Sequence, residues 1–274
     1  MLGHMKKAFI LTAAAASAGL FPRVHSLTLS SGCQTSLESL LTSPDAACLN
    51  PTGLISSIIG GSSGSIPTTV NSWLTGVCSS GACTNQSIAN VVTNLTDGCS
   101  TELSSLGISV SSVQSDIISV AQAVYPTIRQ IACLQDDTSN QLCAVQALNN
   151  LSSVVGQLNV SDITFLNLFT DAQALFANGV QNIACSDCMK ESFSIAKTNF
   201  PSIVSDAEPE AQALCGASFL DGNLPSTVSQ TANEAVFSST PPSQSSAGFR
   251  MSYTAFGPSA AILGSVFAAF ALLA

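Results

Sequence analysis

The sequence predicts an all-α fold, a disulfide-stapled helical bundle followed by a disordered Ser/Thr/Pro stalk. Between residues 70 and 220 the apolar residues recur mainly at steps of three and four, which is the helical period, and strand-like alternation is almost absent. After Asp221 the composition changes to Ser, Thr, Pro and Gln, which is typical of a stalk that carries O-linked sugars. The ten cysteines supply the staples: Cys33, Cys48, Cys78, Cys83, Cys99, Cys133, Cys143, Cys185, Cys188 and Cys215.

The first 26 residues have the features of a secretory signal peptide. Lys6 and Lys7 precede the apolar run Ala8–Leu20, and cleavage is expected after Ser26. A cut after Ala18 and a buried N-terminal helix are the alternatives. An even number of cysteines in a secreted chain implies up to five disulfides. Ten cysteines allow about 945 pairings, so the sequence leaves the connectivity open.

The C-terminal residues form the pattern of a glycosylphosphatidylinositol (GPI) attachment signal. The small residues Ser246-Ala247-Gly248 are followed by a spacer and by the apolar tail Ala260–Ala274. The tail is shorter than the roughly 20 residues that a spanning helix needs. We therefore expect attachment at Ser246, removal of residues 247–274 and contact with a membrane through a lipid anchor; a tail anchor or a buried helix is the alternative.

Charge excludes several classes of function. Removal of both ends leaves three basic and sixteen acidic residues, a net charge of −13, which repels nucleic acid. His4 and His25 both lie in the signal peptide, so the mature chain has no histidine. A Ser-His-Asp triad and an imidazole metal site are thereby excluded, and we expect neither a metal nor a cofactor.

Residues 27–69 are predicted to be partly irregular. They contain one short helix, Gln34–Thr42, and a Gly/Ser-rich loop, Ile58–Thr69. Residues 70–220 form the cysteine-rich helical domain, and residues 221–246 the stalk. The single tryptophan, Trp73, is expected to be a packed anchor.

The helical domain begins with a predicted helix over Asn85–Thr96. A long periodic region, Thr101–Leu134, follows, in which Pro126 should kink or break the helix and push Tyr125 towards an extended conformation. The turn Asp136–Asn140 then separates this region from another helix that runs to about Val155.

Capping boxes are predicted for two helices. Thr138 with Gln141 would start the helix that ends near Val155, and Ser205 with Glu208 would start a helix after Pro201.

Two helical hairpins are candidates for disulfide staples. The helices Asp162–Gly179 and Met189–Phe200 flank Cys185 and Cys188, which predicts one stapled hairpin. Cys133 and Cys143, on either side of a turn, could staple a second. Cys78 and Cys83 could close on each other or pair elsewhere. A redox role for Cys185-x-x-Cys188 is disfavoured because no thioredoxin-like strand–helix unit is apparent.

The phenylalanines at helical spacing could line a cavity for a small apolar ligand, such as a lipid or a sterol. Stripes of this kind are more often plain core. The candidates are Phe165, Phe169, Phe176, Phe193 and Phe200.

Catalysis by paired carboxylates, as in glycosidases, is the remaining enzymatic hypothesis. The candidates are Asp136, Asp137, Asp162 and Asp171. A sugar cleft usually has aromatic walls, and the mature chain offers only Trp73 and Tyr125 besides phenylalanines. The acidic residues also suit structural roles in turns and at helix starts. We therefore predict no catalytic residues.

Four sequons for N-glycosylation lie near predicted helix ends or loops. Their asparagines are Asn85, Asn94, Asn150 and Asn159.

The segments Ile128–Leu134 and Ala184–Cys188 resemble an uncharacterised family of fungal secreted, cysteine-rich helical, GPI-anchored surface glycoproteins. The resemblance covers roughly Leu74 to Leu220 and supplies no activity or site residues. It implies a non-catalytic glycoprotein at the cell surface or in the wall, with cell-wall glycans as candidate partners. The alternatives are a binder of a small apolar ligand and a carboxylate-dependent glycan-modifying enzyme.

Overall fold

Helices dominate the part of the chain that the structure, a computed structural model, describes: residues 29–54, 65–105, 107–156 and 180–237. Several predictions fall outside these ranges, namely the signal peptide, the loop up to residue 64, the helix Asp162–Gly179, Asn159, Ser246 and the GPI propeptide. The all-α, disulfide-stapled class is confirmed.

Side chains cap three of the first five helices, and the second of these helices begins at Ile66, so the predicted loop Ile58–Thr69 is wrong over its last four residues. The side chains of Ser30 and Thr84 accept hydrogen bonds from the backbone amides of Cys33 and Ser87, at 3.2 and 3.0 Å, and so cap α1 and α3. Helix α3 packs against α1 and α5. The helices are α1 Ser31–Thr42, α2 Ile66–Ser79, α3 Asn85–Gly98, α4 Ser100–Ser105 and α5 Val110–Ala132.

The predicted break at Pro126 is wrong, because α5 continues through this residue. Tyr125 is helical rather than extended. Its hydroxyl accepts a hydrogen bond from the amide of Cys83 at 3.0 Å, and Tyr125 packs against the cluster of Cys48, Cys83 and Ile88. Tertiary contacts of this kind offset the hydrogen bond that a proline removes from a helix.

A small antiparallel sheet follows α5, which the sequence did not predict. Strand β1 Leu134–Asp136 lies between β2 Gln141–Leu142 and β3 Val228–Gln230. The capping box of Thr138 with Gln141 is wrong, since Gln141 belongs to β2 and the next helix, α6 Cys143–Val155, has no side-chain cap.

The C-terminal helices are short except for α8. The predicted cap of Ser205 with Glu208 is wrong here too, because the residue before α10 is Ala207 and no side chain caps the helix. The helices are α7 Val180–Ala184, α8 Asp187–Asn199, α9 Pro201–Val204 and α10 Glu208–Cys215, with 3-10 turns at Ser205–Ala207 and Ala217–Leu220.

Residues 228–237, which we call the C-terminal strap, return across the domain. After β3, the amide of Asn233 donates to the carbonyl of Cys78 at 2.8 Å, and the amide of Phe237 donates to the carbonyl of Ala82 at 2.8 Å. The stalk that the sequence placed from Asp221 onwards therefore begins too early, because its first part is integrated into the fold. Residues 238–246 lie outside the described ranges.

The five disulfides use all ten cysteines and differ from both predicted staples. Cys133 pairs with Cys78 rather than with Cys143, and Cys185 and Cys188 bond to different partners rather than to each other. The pairs fall into two groups, with none joining the groups: Cys33–Cys99, Cys48–Cys83 and Cys78–Cys133 in the first, and Cys143–Cys188 and Cys185–Cys215 in the second.

Disulfides and aliphatic side chains build the core together. Leu148, Cys48, Cys133 and Cys143 are its most completely buried large side chains. Trp73 is a packed anchor, as predicted: it lies against the cluster around Leu74, and its indole N–H donates to the carbonyl of Leu49 at 2.8 Å.

Candidate binding groove

A groove of about 460 Å³ lies along one side of α8. Its volume falls within the range of small-molecule sites, roughly 300–1,000 Å³. Its lining is mainly apolar and combines α8 with the segments on either side of α10: Lys190, Phe193, Ser194, Lys197, Thr198, Pro201, Phe219, Leu220, Gly222, Asn223 and Leu224.

Two aromatic rings form part of this apolar lining. Phe193 and Phe219 meet edge to face, with ring centroids 5.7 Å apart and planes at 62°. This arrangement is the favourable one for aromatic pairs. Phe219 is buried, whereas Leu224 is 60% exposed, so the groove offers apolar surface to solvent.

The two lysines of the groove are held by acidic residues that do not line it. The ammonium group of Lys190 donates to the carbonyl of Ser218 at 2.7 Å and to Asp221 at 2.8 Å. The hydrogen bond from Lys190, with two further bonds from Asn223, lowers the pKa of Asp221 to about 2. Lys197 lies 3.1 Å from a carboxylate oxygen of Glu208.

Two of the five predicted ligand-lining phenylalanines lie in the described residues. Phe193 lines the groove, but Phe200 is buried and does not. Phe165, Phe169 and Phe176 lie outside the described ranges.

Sequence reasoning missed Lys190, Lys197, Phe219 and Leu224. A signal was available for the lysines, because Lys190, Phe193 and Lys197 occupy one face of a helix at steps of three and four. Phe219 and Leu224 carried no such signal, since they reach the groove only through the fold of residues 201–224.

The carboxylates considered for catalysis have structural roles where they are described. Asp136 accepts hydrogen bonds from the amides of Thr138 and Ser139 at 2.8 and 3.1 Å, and from the side chain of Gln146 at 2.7 Å. The hydroxyl of Thr138 is the main cause that lowers its pKa to about 2. Such a group stays ionised at neutral pH and is unsuited to be a general acid.

Asp137 accepts a hydrogen bond from the hydroxyl of Ser229 at 2.6 Å and so ties β3 to the β1–β2 turn. Asp162 and Asp171 lie outside the described residues.

In the part of the chain that the structure describes, one cluster has the residue types of a metal site, namely Cys33, Cys99 and Glu102. The two sulfurs are bonded to each other, so neither is a thiolate ligand. Glu102 accepts hydrogen bonds from the amide and hydroxyl of Ser30. Its pKa is lowered, chiefly by the amide bond. The cluster therefore fastens the start of α1 to α4.

Three of the four sequon asparagines are described and exposed. Asn85 is the first residue of α3, as expected for a site near a helix end. Asn94 and Asn150 lie within α3 and α6 rather than in loops. All three side chains are on the surface, where a glycan is sterically possible.

No helix within the described ranges is both long and apolar enough to cross a membrane. Comparisons with models of protein families, with curated proteins and with solved structures found no match to this chain. The resemblance to fungal surface glycoproteins thus stays a prediction from the sequence.

Proposed function

We propose that the chain is an extracellular, GPI-anchored glycoprotein whose disulfide-bonded domain has a non-catalytic role at the cell surface or in the wall. The observation that carries this proposal is the pairing of all ten cysteines in five disulfides. Disulfides form and persist in oxidising compartments and are rare in the cytosol. The N-terminal signal pattern and the C-terminal attachment pattern of the sequence both favour an extracellular location with a lipid anchor.

Further support comes from the surface. Asn85, Asn94 and Asn150 are exposed, as acceptors for N-linked sugar must be. Asp136 and Asp137 are engaged in the turn and the sheet, which favours a structural role for these carboxylates over glycan hydrolysis.

The anchor and the extracellular location are tested by expressing the full chain in a eukaryotic secretory host and sequencing the C-terminal peptide of the purified protein. We expect a glycolipid remnant on Ser246, and release of the protein from cells by a phosphatidylinositol-specific phospholipase. A chain that ends at Ala274 without a lipid would overturn the anchor. Free thiols at most of the ten cysteines in freshly isolated protein would overturn the extracellular location.

Glycosylation is tested separately by replacing each described sequon asparagine with glutamine. We expect the mobility of the secreted protein to increase stepwise for Asn85→Gln, Asn94→Gln and Asn150→Gln. Asn71→Gln, which is exposed but has no sequon, is the matched control. Unchanged mobility for all three would remove the glycoprotein assignment from the described domain.

Binding of a small apolar ligand is a second candidate function. The observation that favours it is the groove on α8, where the Phe193–Phe219 pair and the exposed Leu224 offer apolar surface. This function is independent of the anchor.

A further inference from the structure

We propose that the groove on α8 binds a single-chain amphiphile with a carboxylate headgroup, the carboxylate at Lys197 and the hydrocarbon chain along Phe193, Phe219 and Leu224. The inference rests on the second candidate function and adds the chemical class of its ligand.

Positive charge is concentrated at this groove. Residues 29–237 contain three basic residues: Arg129, Lys190 and Lys197. Arg129 is 7% exposed and donates to backbone carbonyls beneath the C-terminal strap. The two lysines therefore carry all of the accessible positive charge in this range, and both line the groove. On a surface that otherwise repels anions, this is the place where an anionic headgroup is attracted.

Both lysines belong to the lining of the groove, and their carboxylate partners, Asp221 and Glu208, do not. A neutral ligand such as a sterol offers at most a hydroxyl oxygen to these lysines. A carboxylate accepts a charge-assisted hydrogen bond, which is roughly twice as strong as a neutral one.

Lys197 is better suited than Lys190 to hold this carboxylate. The Lys190 side chain is 18% exposed and has two partners, Ser218 and Asp221. The Lys197 side chain is 44% exposed and forms one ion pair, with Glu208 at 3.1 Å. Exposed ion pairs contribute about 0–1 kcal/mol, so a ligand carboxylate can replace Glu208 at little cost.

The hydrocarbon chain of the ligand contacts apolar side chains of the groove. Pro201, Leu220 and Leu224 extend the apolar surface from the two phenylalanine rings. Because Leu224 is 60% exposed without a ligand, its burial adds to the affinity. Such a division, with charge at one side and hydrocarbon at the other, fits an amphiphile better than a small anion or a pure hydrocarbon.

The first test is calorimetric titration of the secreted, glycosylated mature protein with three probes. Decanoate has both the hydrocarbon chain and the carboxylate. 1-Decanol has the same chain with a neutral hydroxyl, and acetate has the carboxylate on a single methyl group. We expect one saturable site for decanoate below its micellar concentration, at least tenfold weaker binding of decanol and no binding of acetate. Octanoate, which is two methylenes shorter, should bind about tenfold more weakly than decanoate.

Two variants of the ion pair then test the headgroup. Lys197→Gln should weaken decanoate binding about tenfold, because a charge-assisted hydrogen bond is lost. Glu208→Gln should strengthen it, roughly threefold, because the competing carboxylate is removed. A purely structural ion pair would give the same direction of change in both variants, and that result would overturn the role of Lys197.

Leu224→Ser tests the apolar contact and should weaken binding about fivefold. Leu214→Ser is its matched control, since Leu214 is 41% exposed but does not line the groove. Unchanged far-ultraviolet circular dichroism and an intact disulfide map establish that each variant is folded. Equal effects of the two substitutions would overturn the proposed path of the chain.

The outcomes separate this inference from the function on which it rests. If decanol binds as tightly as decanoate, the carboxylate class is wrong and apolar-ligand binding stands. If no probe binds saturably, both fail. If the protein binds phosphatidylcholine vesicles but no monomeric amphiphile, the groove is a membrane contact and the inference is overturned.

Discussion

Arg129 donates a hydrogen bond of 3.0 Å to the backbone carbonyl of Asn233, which lies 104 residues further along the chain. The same nitrogen donates to the carbonyl of Ser80, so one guanidinium group joins α5, the loop after α2 and the C-terminal strap. Within the described residues Arg129 forms no ion pair, and its Nε has no hydrogen-bond partner. A buried charge held only by carbonyl groups makes this contact sensitive to substitution.

Replacing Arg129 with methionine should destabilise the domain by about 2–4 kcal/mol, because two buried carbonyl groups lose their donor. The measurement is urea unfolding at neutral pH, followed by circular dichroism. Lys197→Met removes the same charge at the surface and should change the stability by less than about 1 kcal/mol. If Arg129→Met were as stable as the parent, the free-energy cost of burying the guanidinium group would cancel the stabilisation from its hydrogen bonds.

Truncation distinguishes the strap from the remainder of the low-complexity segment. A mature chain that ends after Phe237 should unfold at the same urea concentration as the full mature chain. A chain that ends after Leu224 keeps the groove but loses β3 and the bonds of Asn233 and Phe237. We expect it to be less stable by about 2–4 kcal/mol, the net of several hydrogen bonds and the ordering entropy of the strap.

Amide hydrogen exchange locates the effect of that truncation. β1 pairs with β3 along Leu134–Asp136, so these amides should exchange faster without the strap, whereas those of α3 should change little. Identical exchange and stability in the two truncated chains would show that the strap is a passive appendage.

Asp136 should make the stability depend on pH between about 4 and 2. Hydrogen bonds, chiefly from Thr138, lower its pKa from 3.8 to about 2 in the folded state. Since the folded form binds protons less readily than the unfolded form, this contribution is complete above about pH 4 and is lost as the pH falls towards 2. The partly exposed carboxyl limits it to about 1–2 kcal/mol.

The variant Asp136→Asn lacks this titration. Its stability deficit relative to the parent, measured by urea unfolding, should therefore shrink as the pH is lowered from 5 to 2. A deficit that stays constant over this range would mean that Asp136 does not contribute in its ionised form.

The disulfides should be reduced in a definite order. Cys185–Cys215 is the bridge in which both cysteines are partly exposed and neither is buried, whereas each of the other four has at least one buried member. Thiol–disulfide exchange requires access, so Cys185 and Cys215 should be alkylated first under limiting dithiol. Peptide mapping by mass spectrometry identifies the labelled residues, and earlier labelling of Cys78 or Cys133 would contradict this order.

The cost of losing that bridge can be measured independently. Cys185→Ser with Cys215→Ser removes a crosslink of sequence separation 30, which corresponds to about 3–4 kcal/mol in the chain-entropy description. The remaining four bridges should stay intact in the folded variant.

The sequence predicted the elements that depend on local signals. Helix α3 was expected over Asn85–Thr96 and extends to Gly98, because a threonine cap and an apolar stripe specify it within one segment. Pro126 was misread since its local effect is overridden by contacts of Tyr125 with residues some forty positions earlier.

Features that depend on distant partners could not be predicted. Cys133 pairs with Cys78 because the end of α5 lies beside the end of α2. The spacing of the cysteines along the sequence does not indicate that these helix ends are neighbours. β3 has three residues in a segment of stalk-like composition, too few to show an alternating pattern, and it forms because β1 has a free edge. The groove also needs α8 and residues 219–224 together.

The separation of the disulfides into two groups has a consequence for biosynthesis. All three crosslinks of the first group are complete within residues 33–133, and the second group begins at Cys143. A nascent chain that emerges N-terminus first can therefore oxidise its leading portion correctly while the trailing cysteines are still unsynthesised. The segment between Cys133 and Cys143 separates the two groups in the order of synthesis, and the strap, which is synthesised after both groups, pairs with β1 in this segment.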